Sequence, residues 1–259
     1  MASVSVITSG KGGVGKTTAT ANLGAALAMR GNKVLLIDGD IGLRNLDIAM
    51  GMEEGIVYDL VDVVREECDF HKAILKHPTI DGLHLMPTSQ TADKSYVTKT
   101  QMKTLLKKLR PEFDFILIDC PAGIEHGFEN AIAGADMAII VTVPELSCIR
   151  DADRVIARLE KQEIPELKLI INRLRPGLIK KGLMPDVEDV LNTLSVDLLG
   201  AIPEDEKIII AANSIDLVAA DNQSQAGRAY RNMAARLCGE KVDLIDFKEK
   251  KNIFQRLFG

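Results

Sequence analysis

Ten residues near the amino terminus, Ser9-Gly10-Lys11-Gly12-Gly13-Val14-Gly15-Lys16-Thr17-Thr18, have the types and spacing needed to hold a chain of phosphates. They fit the pattern G-x-x-x-x-G-K-[ST] and add a second lysine, Lys11, directly after the first glycine. Glycines let the backbone curl so that its N–H groups point inward at the anion. Lys16 can then reach the β- and γ-phosphates, and the Thr17 hydroxyl can ligate Mg²⁺. Gly10, Lys11, Gly12, Gly13, Val14, Gly15 and Thr18 complete the nucleotide-binding loop. The plain alternative is a glycine turn that binds nothing. The flanks speak against it, because a buried apolar run, Val4 to Thr8, precedes the loop and an Ala/Leu-rich helical stretch, Thr17 to Met29, follows it. Strand, loop and helix in that order set the positive end of a helix under the phosphates.

A nucleotide also needs metal ligands and a positioned water, which in a parallel sheet come from the carboxyl ends of strands. Asp119 ends the run Phe-Ile-Leu-Ile and is placed as a carboxylate on the Mg²⁺ side of such a site, with a strand-ending turn residue as the alternative. Asp40 is expected to orient the attacking water, against a role as a turn or helix cap. Asp38 is open between metal-side support and loop structure. Lys11 is the candidate cation for the γ-phosphate. Its place after the first glycine lets it point at a facing subunit, as an arginine finger would. The catalytic set is thus Lys11, Lys16 and Asp40, with Thr17, Asp38 and Asp119 on the metal.

These groups need a scaffold that brings strand ends together. Apolar runs at Lys33–Asp38, Gly82–Pro87, Phe113–Cys120, Met137–Val143, Leu167–Asn172 and Leu198–Pro203 alternate with amphipathic stretches at Val57–Arg65, Thr98–Leu109, Ile149–Lys161, Val187–Leu194 and Gln223–Leu237. Alternation of this kind predicts an α/β, three-layer P-loop NTPase fold: a mostly parallel twisted sheet with helices on both faces. The near-continuous hydrophobicity of the strands agrees with burial on both sides. One ATPase domain is expected over residues 1–240, then a charged linker and an amphipathic helix over 241–259. The net charge of −5 argues against a broadly basic, nucleic-acid-coating surface. Four scattered cysteines without a C-x-x-C pair read as reduced core thiols, and no run is long enough to span a bilayer. No secretory signal is recognisable, so a cytoplasmic protein is expected.

The last segment differs from the rest. On a helix, Ile253, Phe254, Leu257 and Phe258 form one apolar stripe, and Lys250, Lys251 and Arg256 lie elsewhere on its surface. This pattern suits an anionic lipid surface on the inner face of a cell membrane, where each basic residue contributes ~1 kcal/mol. So short a helix should bind weakly as one copy, whereas two copies on a dimer gain from effective concentration. The alternative is a terminal helix packed on its own core.

Lys11-Gly12-Gly13-Val14-Gly15-Lys16-Thr17 resembles the deviant Walker A motif of the ParA/MinD superfamily, with Lys11 at the signature lysine. Asp38-Gly39-Asp40-Ile41-Gly42-Leu43-Arg44-Asn45-Leu46-Asp47 is similar to the first switch of the MinD branch and lacks the Asp-Pro-Gln of partition ATPases. Asp119-Cys120-Pro121-Ala122-Gly123-Ile124-Glu125 resembles the second switch, Arg150-Asp151-Ala152-Asp153-Arg154 the partner-facing helix, and Ile202-Pro203-Glu204-Asp205 also fits. The resemblance implies an ATP-dependent homodimer with two nucleotides at its interface. It further implies a slow Mg²⁺-dependent ATPase that acts as a localisation switch in division-site selection. It assigns adenine contacts to Asn172, Arg173 and Pro203. It also puts Asp151 and Asp153 in the surface for the inhibitor MinC or the stimulator MinE. The competing readings are a ParA-like DNA-partition ATPase, a flagellar-number regulator, and a cluster-bearing relative of the nitrogenase iron protein that would need bridging cysteines.

Overall fold

The computed structural model describes residues 2–93, 96–124 and 127–244. Residues 245–259, which carry the expected membrane segment with Lys250, Lys251, Ile253, Phe254, Arg256, Leu257 and Phe258, lie outside the described residues.

Among the described residues the strands are β1 (Ser3–Thr8), β2 (Val34–Asp38), β3 (Leu75–Lys76), β4 (Leu83–Met86), β5 (Phe115–Asp119), β6 (Met137–Thr142), β7 (Glu166–Leu174) and β8 (Asp197–Pro203). They form a single sheet in the order β3-β4-β2-β5-β1-β6-β7-β8, parallel throughout except for β3 against β4. The helices are α1 (Lys16–Ala28), α2 (Leu46–Met50), α3 (Leu60–Val64), α4 (Phe70–Ala73), α5 (Lys99–Leu109), α6 (Phe128–Ala131), α7 (Leu146–Lys161), α8 (Pro176–Ile179), α9 (Val187–Leu194), α10 (Glu206–Ser214) and α11 (Gln225–Leu237). A 3-10 turn spans Val218–Ala220.

Burial on both faces explains the composition of the strands. All of β2 and β6 is buried, as the unbroken runs Val-Leu-Leu-Ile-Asp and Met-Ala-Ile-Ile-Val-Thr require. One cluster packs α5, α7 and α9 on one face, through Leu105, Leu109, Ile156, Leu159 and Val190. The other packs α1 and α11 on the opposite face, through Leu23, Leu27, Tyr230 and Met233. Helix α1 lies very close to β2. A Cβ on Gly24 would stand 2.5 Å from a Leu36 methyl, so any larger residue there requires Leu36 to shift.

Seven of the eight strands and the longer helices fall where the apolar pattern puts them. The ends shift for local reasons. The expected helix from Val57 begins only at Leu60, because the Asp59 carboxylate caps it by accepting from the N–H groups of Val61 and Asp62. Helix α7 begins three residues before the expected Ile149, and its added turn leaves Leu146 71% exposed. The edge strand β3 and helix α10 carry no periodic signal, and α10 buries none of its residues.

The topology decides where the chemistry sits. Strand β1 lies between β5 and β6, and the chain leaves it on one side toward β2 and later returns on the other as β6. That reversal opens a crevice at the carboxyl ends of β1, β2 and β5, the three strands that lead into the glycine loop, Asp38 and Asp119.

Candidate nucleotide site

The loop of residues 9–15 leaves β1 and turns into α1 through two left-handed glycines, Gly13 at φ +80° and Gly15 at φ +93°. Gly15 is the N-cap of α1, and a Cβ there would meet the Asn172 amide nitrogen at 2.4 Å. Gly10 is required for a different reason: a Cβ there would stand 2.3 Å from the backbone carbonyl carbon of Asp151 on α7. The loop is therefore squeezed between β7 beneath and α7 beside it.

Below the loop, Asp119 gathers the loop's own functional groups. The Lys16 ammonium donates to its Oδ1 at 2.8 Å, the Thr17 hydroxyl to its Oδ2 at 2.6 Å, and the Thr20 hydroxyl lies 3.1 Å from Oδ1. Asp38 stands opposite Asp119 in the β2–β5 register, and each is only 1% exposed. Two buried carboxylates thus face one buried ammonium. Burial, and then the negative charge of Asp119, push the Asp38 carboxyl up to about 7.

Asp38 also organises the following loop. Its Oδ1 accepts from the Asp40 N–H at 3.0 Å, and its Oδ2 from the N–H groups of Asn45 and Leu46 at 3.2 Å each. Of its two open roles, loop support is the one with bonds in place. Asp40 is 9% exposed and is held over the cavity by that support. Farther along, Arg44, in left-handed backbone at φ +47°, donates to Asp47 Oδ2 at 2.5 Å, and Asp47 Oδ1 is buried without a partner.

Lys16, Thr17 and Asp40 border a cavity of about 560 Å³, whereas Asp38 and Asp119 lie buried behind them and do not line it. Its phosphate end is made of Gly12, Gly13, Gly15, Lys16, Thr17 and Thr18, with Asp40 across from them. Its far end is apolar, built from Ile208, Ala211, Leu217 and Val218, with Arg173 and Asp216 at the margin. Size does not single it out, since a cleft of about 550 Å³ lies between α3–α4 and α5. Only the former combines a glycine loop, a lysine, hydroxyls and carboxylates.

Of the three expected adenine contacts, one borders the cavity. Arg173 borders the cavity, in left-handed backbone at φ +56°, with its N–H held by the Asn172 carboxamide oxygen at 2.9 Å. Asn172 is buried beneath the loop and donates to the Val14 carbonyl at 2.8 Å, and Pro203 is buried at the end of β8, so neither lines the cavity. Helix α10 lines that end of the cavity through Ile208, Ala211 and Ala212, an element that periodicity does not reveal. Two further contributors belong to no motif: Thr20, and Asn22, whose amide donates to the Thr18 carbonyl and accepts from the Ala219 N–H, tying α1 to the cavity's apolar wall. Their one signal in the sequence is that two polar residues interrupt an otherwise Ala/Leu-rich helix.

Lys11 is exposed and does not line the cavity. Asp151 is half-buried and paired with Arg154 at 3.3 Å, and Asp153 is exposed on the same helix. Cys120 is fully buried and its thiol is pushed far up by desolvation, which disfavours thiolate ligation there. Among the described residues no three His, Cys, Asp or Glu side chains form a metal cage, and no helix is long and apolar enough to cross a membrane.

Comparison with known proteins agrees with this layout. Residues 2–169 match a family profile described as an AAA domain. The septum site-determining protein MinD of Bacillus subtilis is 51% identical over 247 residues, covering 95% of this chain and 92% of that protein. Among solved structures, the MinC:MinD cell division protein complex of Aquifex aeolicus superposes with a TM-score of 0.87 at 44% identity, covering 95% of this chain and 99% of that one. MinD of Pyrococcus horikoshii, complexed with Mg-ADP, gives 0.81 at 32% identity, covering 92% and 96%. With a glycine loop, a lysine–aspartate pair and a matching fold all in place, this chain belongs to the MinD family of septum site-determining ATPases.

Proposed function

We propose that this chain is a Mg²⁺-dependent ATPase that dimerises on ATP, uses the dimer to hold a weak membrane anchor, and recruits MinC to the membrane in division-site selection. The observation that carries the reading is the convergence of Lys16 and Thr17 on Asp119 at 2.8 and 2.6 Å beneath the glycine loop. The donor set suits Mg²⁺, which is held by few protein oxygens and completed by phosphate oxygens and water. A hydroxyl and two neighbouring buried carboxylates, short of positive charge, fit such an ion. When bound it would supply charge neutralisation at the phosphates, with Thr17 as its protein ligand and Asp119 and Asp38 behind it. The Mg-ADP complex of the Pyrococcus horikoshii relative supports the same choice.

The chain's own residues would divide the work. The loop N–H groups and Lys16 bind and orient the triphosphate, and the apolar wall with Arg173 takes the base. Asp40, steadied through the Asp38 carboxylate, holds the attacking water in line. Lys11, exposed and outside its own cavity, is free to reach across a dimer interface toward the partner's γ-phosphate. Gly10 packs on the α7 backbone at Asp151; we assign Asp151 and Asp153 to MinC or MinE contact, and the solved MinC:MinD complex of a relative supports a MinC partner. The segment 245–259 is assigned to an anionic membrane surface, with residues 1–240 as the ATPase domain.

Co-sedimentation with anionic vesicles and with duplex DNA, each with ATP or ADP, tests the whole reading. ATP-dependent capture by vesicles alone is expected. Capture by DNA alone would replace it with a partition-type function, and equal vesicle binding in ATP and ADP would remove the switch.

A further inference from the structure

We infer that Thr20 is a positioning residue for Asp119, holding that carboxylate in place while its other partners exchange. The inference rests on the proposed role of Asp119 on the metal side of the nucleotide. Thr20 lies one helical turn after Lys16 and is fully buried. Its hydroxyl stands 3.1 Å from Asp119 Oδ1 and 3.1 Å from the Lys16 carbonyl. A hydroxyl has one proton, and back-bonding to the carbonyl four residues earlier is a common resting place for it. Here that carbonyl already serves as the helical acceptor of the Thr20 N–H. The carboxylate is the stronger acceptor, because hydrogen bonds to ionised groups are about twice as strong as neutral ones. The Thr20 hydroxyl therefore donates to Asp119.

The three donors to Asp119 differ in one respect. Lys16 and Thr17 line the cavity, whereas Thr20 does not. A bound triphosphate and its cation draw Lys16 and Thr17 toward themselves, and both must loosen from the carboxylate as they turn. Thr20 faces no ligand and has no reason to leave. It keeps Oδ1 pinned to α1, so that Oδ2 stays on the side from which the Thr17 hydroxyl reaches it. Without it, Asp119 would be unanchored during nucleotide loading.

The test compares Thr20→Val, which keeps shape and removes the hydroxyl, with Thr20→Ser, which keeps the hydroxyl. The full chain is titrated with Mg²⁺ in the presence of a fluorescent, non-hydrolysable ATP analogue, and analogue binding is also measured in EDTA. Thr20→Val should raise the Mg²⁺ concentration for half-maximal binding roughly tenfold, as expected for loss of a hydrogen bond to a charged group. Its affinity in EDTA should stay within about twofold of the parent, and Thr20→Ser should restore the parent Mg²⁺ requirement, because a merely structural loss would weaken both conditions alike. Should the valine fail to fold, Thr20→Ala makes the same comparison. A parental Mg²⁺ requirement in Thr20→Val, or a serine variant as impaired as the valine, would overturn the inference. Asp119→Asn separates the two layers: if it too leaves the Mg²⁺ requirement unchanged, the metal-side reading of Asp119 is what fails.

Discussion

The two ends of the sheet treat charge in opposite ways. At the carboxyl end, Asp38, Asp119 and Lys16 are buried, carboxylates outnumber the ammonium, and Asp119 accepts from several donors at once. At the amino end, Arg110 and Asp136 are partly exposed and matched one to one. The guanidinium donates to both carboxylate oxygens at 2.8 Å, and also to the carbonyls of Ala2 and Gly134. The second arrangement is complete and closes a corner of the fold. The first sets two buried carboxylates against one ammonium, an imbalance that the proposed triphosphate and cation would complete. The contrast teaches that a function can be located by charge left unbalanced at depth, rather than by charge as such.

The largest expected effect comes from removing the one ammonium at the crowded end. Lys16→Ala should weaken ATP binding by at least ~100-fold in equilibrium titrations, as loss of a buried charge-assisted contact would. It also leaves the buried Asp119 without its one cationic partner, so its nucleotide-free stability should fall by several kcal/mol, on the order of a broken buried ion pair. Asp40→Ala should separate binding from turnover, with ATP affinity kept and steady-state hydrolysis reduced ~100-fold or more, as for loss of a general base. Parental turnover in that variant would hand the water to another residue.

A pH comparison sharpens the contrast further. Partial burial works against ionisation of Asp136, but the Arg110 and Val4 hydrogen bonds outweigh it and hold the carboxyl below its usual value. Its stabilisation is present at neutral pH and lost as pH falls through that lowered value, in the acid range below about 4. Asp38 has the reverse sign. Its folded value near 7 lies above the unfolded one of 3.8, so the native state binds the extra proton between them and stability drops as pH rises across that window. Denaturant melts of the nucleotide-free protein should show Asp38→Asn flattening the slope between about pH 4 and 7, and Asp136→Asn lowering stability at neutral pH and flattening the slope only below about pH 4. The smallest effect belongs to Arg110→Ala, about 1 kcal/mol once exposure and screening are allowed for, with nucleotide affinity untouched. A loss of ATP binding in that variant would break the separation between the two ends.

Much of this contrast is legible in the amino-acid sequence itself. The glycine spacing with Lys16 and Thr17, and aspartates ending apolar runs, place the candidate nucleotide end because strand termini are marked by an abrupt change from apolar to polar residues. What stays hidden depends on contacts distant in sequence. Asn172 is assigned to the base by the resemblance alone, and nothing in the sequence shows that its carboxamide donates to Val14, 158 positions away. Helix α10 has isoleucines at three successive positions and hence no one-sided stripe, so it gives no periodic signal although it walls the cavity. Thr20 looks like filler in an alanine-rich helix until the fold sets β5 beneath it.

The pairing of β2 with β5 runs without interruption from Val34 and Phe115 to Asp38 and Asp119, whereas β7 and β8 are joined through two register shifts. Side chains alternate faces along a strand, so a one-residue insertion in β2 or β5 would send one aspartate of the pair through to the other side of the sheet. Length variation among descendants of this sequence should accordingly collect at the outer β7–β8 seam and be purged from the central one.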